Sequence, residues 1–378
     1  MQSNRLQHIK EYYFSTKLKE IASLVAAGKP IINLGIGSPD LPPHPKVIAK
    51  LAEVAQQNHV HAYQSYRGIP ELRKAIAEFY QRKFGVASDY ETEILPLIGS
   101  KEGIMHISMA FLNQGDEVLI PRPGYMTYRS ASLLAGASPV YYDLDEAHRF
   151  LPDLDALQQM DLSKVKLMWL NYPHMPTGAR ASLQDFAGLV DFAKQHQILL
   201  VNDNPYSFIL NDQPVSILQV PEVKDVALEL NSLSKSHNMA GWRVGWLMGS
   251  QTHIDAVMKF KSQMDSGMFY PLQQAAVTAL ALEDEWYQNL NRTYGKRKKW
   301  VLELVDKLGL KARKNQVGMF VWAQLPEGIS SKDFTDKLLY EKHIFLTPGF
   351  IFGDGLDGYV RISLTVPDEQ LQEVLRRV

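Results

Sequence analysis

The chain has 378 residues, more than one hydrophobic core usually organises, so we expect one large domain and one smaller domain. Lys and Arg number 40 against 41 Asp and Glu, and the formal net charge of −1 argues against a basic surface that binds nucleic acid or a membrane. The sequence contains no cysteine, which excludes disulfides, thiolate nucleophiles and cysteine-ligated zinc. Because it also lacks a secretory signal and any run of roughly 18 apolar residues, a cytoplasmic location is the default expectation.

Through the middle of the chain, short apolar segments alternate with longer segments of helical periodicity. Strands are predicted at residues 94–97, 118–120, 140–142, 166–170, 198–201, 226–230 and 244–248. Helices are predicted between and after them, among others at residues 101–112, 183–197 and 253–264. This alternation predicts a mostly parallel sheet with helices on both faces, in which ligands bind beyond the carboxyl ends of the strands.

The pattern changes after about Pro271. A long helical stretch at 283–308 leads to predicted strands at 320–324 and 359–364, with helices between and after them. We therefore predict an α/β fold in which a large domain, residues 41–270, contains the helix-sandwiched sheet. Residues 1–40 and 271–378 are predicted to form a smaller α+β domain.

The most informative segment is SLSKSHNMAGWRVG at 232–245, a predicted loop between two strands that contains Lys235. A lysine amine can form a Schiff base with an aldehyde, and the guanidinium of Arg243 can bind a phosphate through two parallel hydrogen bonds. The hydroxyls of Ser232 and Ser234 can donate to the same phosphate. Taken alone, the segment favours the alternative, a solvated loop lysine and a surface arginine in an ion pair.

This segment resembles the cofactor-lysine region of the class I/II aminotransferases, which are fold type I pyridoxal-phosphate enzymes. The resemblance extends from Asn33 to the carboxyl terminus, and it is greatest to the branch that resembles LL-diaminopimelate aminotransferases. The phrases LGIGSPDLP at 34–42, IGSKEG at 98–103 and LSK at 233–235 indicate that branch. The resemblance implies that Lys235 carries pyridoxal 5′-phosphate and that the enzyme moves an amino group from an L-amino acid to a 2-oxo acid, with 2-oxoglutarate as the expected acceptor.

Asp203 follows the apolar run 198–201, and a carboxylate at a strand end can hold the pyridine nitrogen of such a cofactor protonated. The resemblance implies this role, and it gives Tyr206 a hydrogen bond to the cofactor's phenolate oxygen. Without the resemblance, the segment from Asp203 to Tyr206 would be interpreted as a turn. The resemblance also implies that Tyr125 stacks on the cofactor ring.

Gly99, Ser100 and Lys101 end a predicted strand and begin a predicted helix. Backbone N–H groups at a helix start, together with the Ser100 hydroxyl, can bind a phosphate, and a simple helix cap by Ser100 uses the same groups. The resemblance further implies that Tyr63 crosses a dimer interface to the partner's phosphate. A homodimer with shared active sites is therefore expected.

Arg361 lies in an apolar predicted strand, where an arginine is costly to bury unless an anion pairs with it. The resemblance implies that Arg361 binds the α-carboxylate of the substrate and that Gly37 allows the substrate a close approach. The alternative is an arginine at a strand edge that points to water.

One departure from the family pattern concerns the segment NYPHMPTG at 171–178, where Met175 replaces the expected asparagine. In relatives that asparagine donates a hydrogen bond to the cofactor's phenolate oxygen, whereas a thioether cannot donate. Tyr206 is then the main remaining donor, with Asn171 and His174 as possible replacements. We expect the Schiff base to be more basic here than in relatives.

The identity of the donor is left open. The segment KSQMDSGMFY at 261–270 lacks the arginine that aspartate-specific relatives use. This favours a donor with a neutral, aromatic or thioether side chain, or the diaminopimelate chain, although Lys261 could supply a charge.

A carbon–sulfur β-lyase on the same scaffold is an alternative function. A cofactor-sensing domain of a transcription regulator is another, but the first forty residues are too few for a DNA-binding module.

Other cofactor and metal sites are not expected. A dinucleotide site is disfavoured because Gly35 and Gly37 lack a third glycine at the required spacing. No metal site is expected either, and the glycine-rich segment 353–358 is interpreted as a surface turn.

Overall fold

The computed structural model describes residues 3–9 and 13–378. The α-helices in this part of the chain are α1 (Tyr13–Ala26), α2 (Pro45–Ala55), α3 (Pro70–Phe84), α4 (Ser100–Phe111), α5 (Met126–Ala135), α6 (Leu154–Gln158), α7 (Leu183–His196), α8 (Gln251–Lys261), α9 (Tyr270–Leu280), α10 (Asp284–Lys307), α11 (Ser331–Lys342) and α12 (Asp368–Arg377). The strands are β1 (Ile32–Asn33), β2 (Ile94–Leu97), β3 (Glu117–Arg122), β4 (Ser138–Asp143), β5 (Val165–Leu170), β6 (Leu199–Asp203), β7 (Ala227–Ser232), β8 (Gly245–Met248), β9 (Lys311–Ala312), β10 (Phe320–Gln324), β11 (Ile344–Phe345), β12 (Thr347–Pro348) and β13 (Tyr359–Ser363).

A seven-stranded sheet forms the centre of the molecule, in the order β2-β8-β7-β6-β5-β3-β4. The pairs from β4 through β3, β5 and β6 to β7 are parallel, and β8 is antiparallel to both of its neighbours. The predicted mostly parallel sheet is therefore confirmed. Prolines are tolerated in β2 and β4 because these are the two edge strands, where a missing N–H costs little.

Helices cover both faces of this sheet. In β7, Leu228 and Leu230 pack into a core with residues of α4, α5 and α8, whereas Ala227 belongs to the larger core on the opposite face. This alternation follows from the two-residue period of a strand. No helix in the described part of the chain is long and apolar enough to cross a membrane.

The remaining strands lie in two smaller sheets. An antiparallel sheet has the order β12-β13-β10-β9, and β1 pairs in parallel with β11, which joins the amino-terminal segment to the carboxyl-terminal part. Helix α12 packs on α10, and α9 packs against α2 and α3. The division into residues 41–270 and the two flanking segments stays a prediction.

Candidate active site

A cavity of about 480 Å³ lies where β6 and β7 end and α4 begins. Eleven of the thirteen residues predicted for the site line it: Gly37, Ser100, Lys101, Tyr125, Asp203, Tyr206, Ser232, Ser234, Lys235, Arg243 and Arg361. Of the other two, Gly99 contacts a lining residue, and Tyr63 lies elsewhere on the surface. The topology accounts for this convergence, because parallel strands deliver the residues at their carboxyl ends to one edge of the sheet.

Lys235 follows β7 and points its amine into this cavity. The Nζ atom donates a hydrogen bond of 2.6 Å to the carbonyl oxygen of Gly37. Burial, followed by the positive charges of Arg361 and Arg243, lowers the pKa of Lys235 to about 8. The neutral fraction near neutral pH is therefore larger than that of an ordinary lysine, and only the neutral amine can attack an aldehyde.

Asp203, the last residue of β6, is buried and accepts one hydrogen bond from a neighbouring side chain. Its Oδ2 atom is 2.9 Å from the hydroxyl of Tyr128, while Oδ1 has no partner among the described residues. Burial raises the pKa of Asp203 to about 6, although the bond from Tyr128 and the charge of Lys235 oppose the rise. Because one oxygen of this buried carboxylate has no hydrogen-bond donor, a cationic partner would stabilise its ionised form strongly.

A group of donors at the start of α4 can bind a phosphate. Gly99 precedes the helix with φ +83°, and a Cβ atom there would lie 2.1 Å from Nη2 of Arg243, so only glycine lets this guanidinium pack against the helix start. The hydroxyl of Ser232 is buried, lines the cavity and has no hydrogen-bond partner within residues 3–9 and 13–378. These features fit an anion at a helix amino terminus.

Arg361 lies on β13 and is buried, so the alternative of a strand-edge arginine in water is wrong. Nη2 donates to the carbonyl oxygen of Gly35 at 2.7 Å and Nη1 to the sulfur of Met175 at 3.3 Å, and the ring of Phe320 lies 4.0 Å from the guanidinium. Nε is unpartnered, and no described carboxylate pairs with this side chain. Burial lowers the pKa of Arg361 to about 10.

Gly37 has a packing reason to be glycine. A Cβ atom at this position would lie 2.1 Å from Cζ of Phe320 and clash with its ring. The predicted close approach of the substrate to Gly37 stays a prediction.

The segment around Met175 shows which donors remain near the cavity. Asn171 lines the cavity but uses both ends of its amide, donating to the carbonyl oxygen of Asp203 at 2.6 Å and accepting from the backbone N–H of Met175 at 2.9 Å. His174 does not line it; Nδ1 contacts Thr177 at 2.8 Å, and burial lowers the pKa of His174 to about 3. Burial raises the pKa of Tyr206, which keeps its hydroxyl protonated.

The expectation that Lys261 could supply a charge to the substrate is wrong. Lys261 is buried outside the cavity, where Nζ donates at 2.9 Å to the carbonyl oxygen of Tyr66 and at 2.9 Å to Asp265. The carboxylate of Asp265, with which this ammonium pairs, lies beside Glu102 and His106.

Several lining residues were not predicted from the sequence, and Tyr128 and Phe14 are two of them. Tyr128 lies one helical turn after Tyr125 and orients Asp203, and that spacing is the one signal that could have indicated it. Phe14 reaches the cavity from α1, with its ring 5.8 Å from the guanidinium of Arg361. Nothing local in the sequence marks Phe14, because its role depends on a contact across most of the chain.

Comparison with known proteins agrees with this geometry. The family model described as aminotransferase class I and II matches residues 29–378. An LL-diaminopimelate aminotransferase of Aquifex aeolicus is 42% identical over 379 residues, covering 100% of this chain and 98% of the relative. The apo structure of BacF from Bacillus subtilis is 38% identical with a TM-score of 0.96, covering 100% and 97% of the two chains. An aromatic aminotransferase from Pyrococcus horikoshii is 30% identical with a TM-score of 0.87, covering 94% and 97%.

The cavity fits the cofactor of this family. The unpartnered oxygen of Asp203 matches a protonated ring nitrogen. The unpartnered hydroxyl of Ser232 matches a phosphate, as does the guanidinium of Arg243, which packs at the start of α4 because residue 99 is glycine. Lys235 lies in the same cavity with a depressed pKa. The chain therefore belongs to the class I and II aminotransferases and is a pyridoxal-phosphate-dependent enzyme that moves an amino group from an amino acid to a 2-oxo acid.

Proposed function

We propose that Lys235 carries the cofactor, that Arg361 binds the α-carboxylate of an L-amino acid, and that 2-oxoglutarate is the acceptor. One observation carries the proposal: a single cavity contains a buried amine, a half-satisfied buried carboxylate and a guanidinium that no described carboxylate pairs with. A guanidinium is seldom buried in this way unless an anionic ligand pairs with it during function.

The remaining lining residues would hold pyridoxal phosphate by their chemistry. Asp203 would face the protonated ring nitrogen, Tyr206 would donate to the phenolate oxygen, and Tyr125 would lie against the ring. The phosphate would be held by Gly99, Ser100, Lys101, Ser232, Ser234 and Arg243. When bound, the cofactor supplies an aldehyde that takes up the amino group and a ring that withdraws electrons from the α-carbon.

The proton transfer falls to Lys235. Its Nζ atom is the cavity's amine with a pKa of about 8, so it can both accept and return a proton near neutral pH. Arg361 fixes the carboxylate and so orients the α-carbon toward this amine. Asp203 stays ionised opposite the ring nitrogen during the transfer.

We further propose a donor with an apolar or aromatic side chain. Phe14, Ile104, Met175 and Phe320 line the cavity, and the buried Lys261 is directed away from it. The relative from Pyrococcus horikoshii that is named an aromatic aminotransferase supports this choice. LL-diaminopimelate is the second candidate, which the names of the relatives at about 40% identity favour.

A donor panel tests the proposal. Holoenzyme is mixed with phenylalanine, tyrosine, methionine, aspartate or LL-diaminopimelate, first alone to follow the cofactor absorbance and then with 2-oxoglutarate to measure glutamate. We expect aromatic donors or methionine to react fastest and aspartate slowest, and Lys235→Ala to be inactive. Absorbance changes without glutamate would show that the acceptor is wrong. Pyruvate and thiol release from cystathionine, with no transamination, would instead identify the β-lyase.

We also propose a homodimer with shared sites. Tyr63 is 91% exposed, and Tyr66, Met264 and Phe269 are exposed as well. They belong to two loops that pack together, since the rings of His61 and Phe269 stack at 5.9 Å. A continuous aromatic and thioether surface of this kind is typical of a protein interface.

A further inference from the structure

The guanidinium of Arg361 contacts three kinds of neutral partner. One terminal nitrogen donates to the carbonyl oxygen of Gly35 at 2.7 Å, the other lies 3.3 Å from the sulfur of Met175, and the ring of Phe320 covers it at 4.0 Å. Nε has no partner in the described ranges. A full positive charge is therefore balanced here by a carbonyl dipole, an aromatic ring and a thioether.

The thioether is the weakest of these contacts and the easiest to move. Sulfur in a thioether is a poor hydrogen-bond acceptor, whereas a carboxylate binds a guanidinium through short, charge-assisted bonds. The methionine side chain has three rotatable bonds and repacks readily. Its backbone is fixed, because the N–H of Met175 donates to Oδ1 of Asn171 at 2.9 Å, so only the side chain is free to leave.

We propose that Met175 is a positioning residue for substrate recognition: its sulfur occupies Nη1 of Arg361 in the resting site and is displaced by the substrate's carboxylate. This inference rests on the proposed role of Arg361. It adds a step that the family's asparagine would not impose in the same way, because an amide can stay and donate to a carboxylate while a thioether cannot.

Displacement has a consequence for selectivity. A charged carboxylate gains more from the guanidinium than the sulfur loses, but a neutral carboxamide gains little more than the thioether already provides. Met175 therefore lowers the affinity of every ligand that must displace its sulfur, and a ligand with a free carboxylate recovers that loss whereas an analogue with a blocked carboxylate recovers little of it.

The test follows the methyl group of Met175 directly. Holoenzyme labelled with methyl-13C methionine is titrated with propionate and, separately, with propionamide; neither can react, and neither depends on the identity of the donor side chain. The resonance of Met175, one of 13 methionines, is assigned by its absence from Met175→Leu, or from Met175→Ala should the leucine variant not fold. Met168, fully buried and outside the cavity lining, is the internal control.

We expect propionate to shift the Met175 resonance to saturation while Met168 stays unchanged, and propionamide to shift it far less. Met175→Leu should bind propionate roughly twofold to tenfold more tightly by calorimetry, because no resting contact has to be broken. If propionate binds and perturbs the cofactor absorbance while the Met175 resonance stays in place, the displacement is wrong but Arg361 keeps its role. If propionate does not bind at all, both assignments fail, whereas transamination in the donor panel is judged independently.

Discussion

At the scale of single residues, the hydroxyl of Tyr128 adjusts the charge of Asp203. It donates at 2.9 Å to Oδ2, and this bond opposes the burial that raises the pKa of Asp203 to about 6. We predict that Tyr128→Phe raises that pKa further. Ionised Asp203 prevails above its pKa and is lost as the pH falls through it. Cofactor affinity of the apoenzyme should therefore begin to weaken at a higher pH in the variant.

The measurement is the dissociation constant of pyridoxal phosphate between about pH 5 and 8. The phosphate of the cofactor also titrates near pH 6, so Asp203→Asn serves as the control, because it retains that dependence and loses the contribution of the carboxylate. If wild type, Tyr128→Phe and Asp203→Asn show the same profile, Asp203 does not pair with the ring nitrogen.

Met175→Asn would restore the asparagine that the family pattern places beside the cofactor's phenolate oxygen. A hydrogen bond to a charged group contributes on the order of 1.5–3 kcal/mol, which corresponds to roughly one to two units in the pKa of the Schiff base at Lys235. We expect this pKa to be lower in Met175→Asn, as measured by absorbance titration of the holoenzyme. Met175→Leu, which also lacks a donor, should titrate like the wild type, and an unchanged Met175→Asn titration would contradict the interpretation.

Most residues of this site were predicted because their types match a known family pattern. The lining residues that were not predicted share a physical reason. Lys235, Asp203 and Arg361 were found because each stands beside a strand end or within an apolar strand, where its chemistry is unusual. Tyr128 and Phe14 look like ordinary core aromatics in the sequence. Their roles exist only through contacts that folding creates.

At the scale of elements, the connection from β2 to α4 is where we propose that the phosphate binds. Gly99 has φ +83°, and its missing side chain leaves room for the guanidinium of Arg243. We predict that Gly99→Ala loses about 1–3 kcal/mol of folding stability, because φ +83° and ψ 152° form a backbone conformation essentially restricted to glycine, and in addition about tenfold or more in cofactor affinity. Thermal unfolding of the apoenzyme and cofactor titration measure the two effects separately.

Gly115 offers a matched control for this variant. It has φ +93°, but nothing lies within 4 Å of a Cβ atom placed there. Gly115→Ala should therefore show backbone strain from its own positive φ with no loss of cofactor affinity. Equal affinities in the two alanine variants would mean that Arg243 does not need the space at Gly99.

The strands of the large sheet were predictable because each contains a short apolar segment between turn signals, although the edge strand β4 is only partly buried. The short strands β1, β9, β11 and β12 have two residues each, which is too short to show any period. They exist because distant segments pair: residue 32 with 344 and residue 347 with 361. Such pairing depends on tertiary packing that no local pattern encodes.

At the scale of the whole molecule, the near-neutral charge and the short apolar runs are typical of a globular protein that acts on small molecules. Whether two chains form a dimer depends instead on the side chains that the surface exposes. Tyr63 does not line the cavity of its own chain and is 91% exposed. An exposed tyrosine in a loop that packs against a second exposed loop fits a residue that a partner subunit would cover. The sequence supplied this interpretation only through the family resemblance.

Hybrid dimers test whether Tyr63 and Lys235 of different subunits share a site. Lys235→Ala should be inactive, and Tyr63→Phe should bind cofactor more weakly because it lacks the hydroxyl proposed for the partner's phosphate. In a heterodimer of the two variants, one site combines an intact Lys235 with an intact Tyr63 from the partner, and the other has neither. That dimer should regain cofactor affinity at half its sites and about half of wild-type activity per dimer. If both residues instead served the same subunit's site, no mixture would contain an intact site, and the heterodimer's affinity would stay at that of Tyr63→Phe.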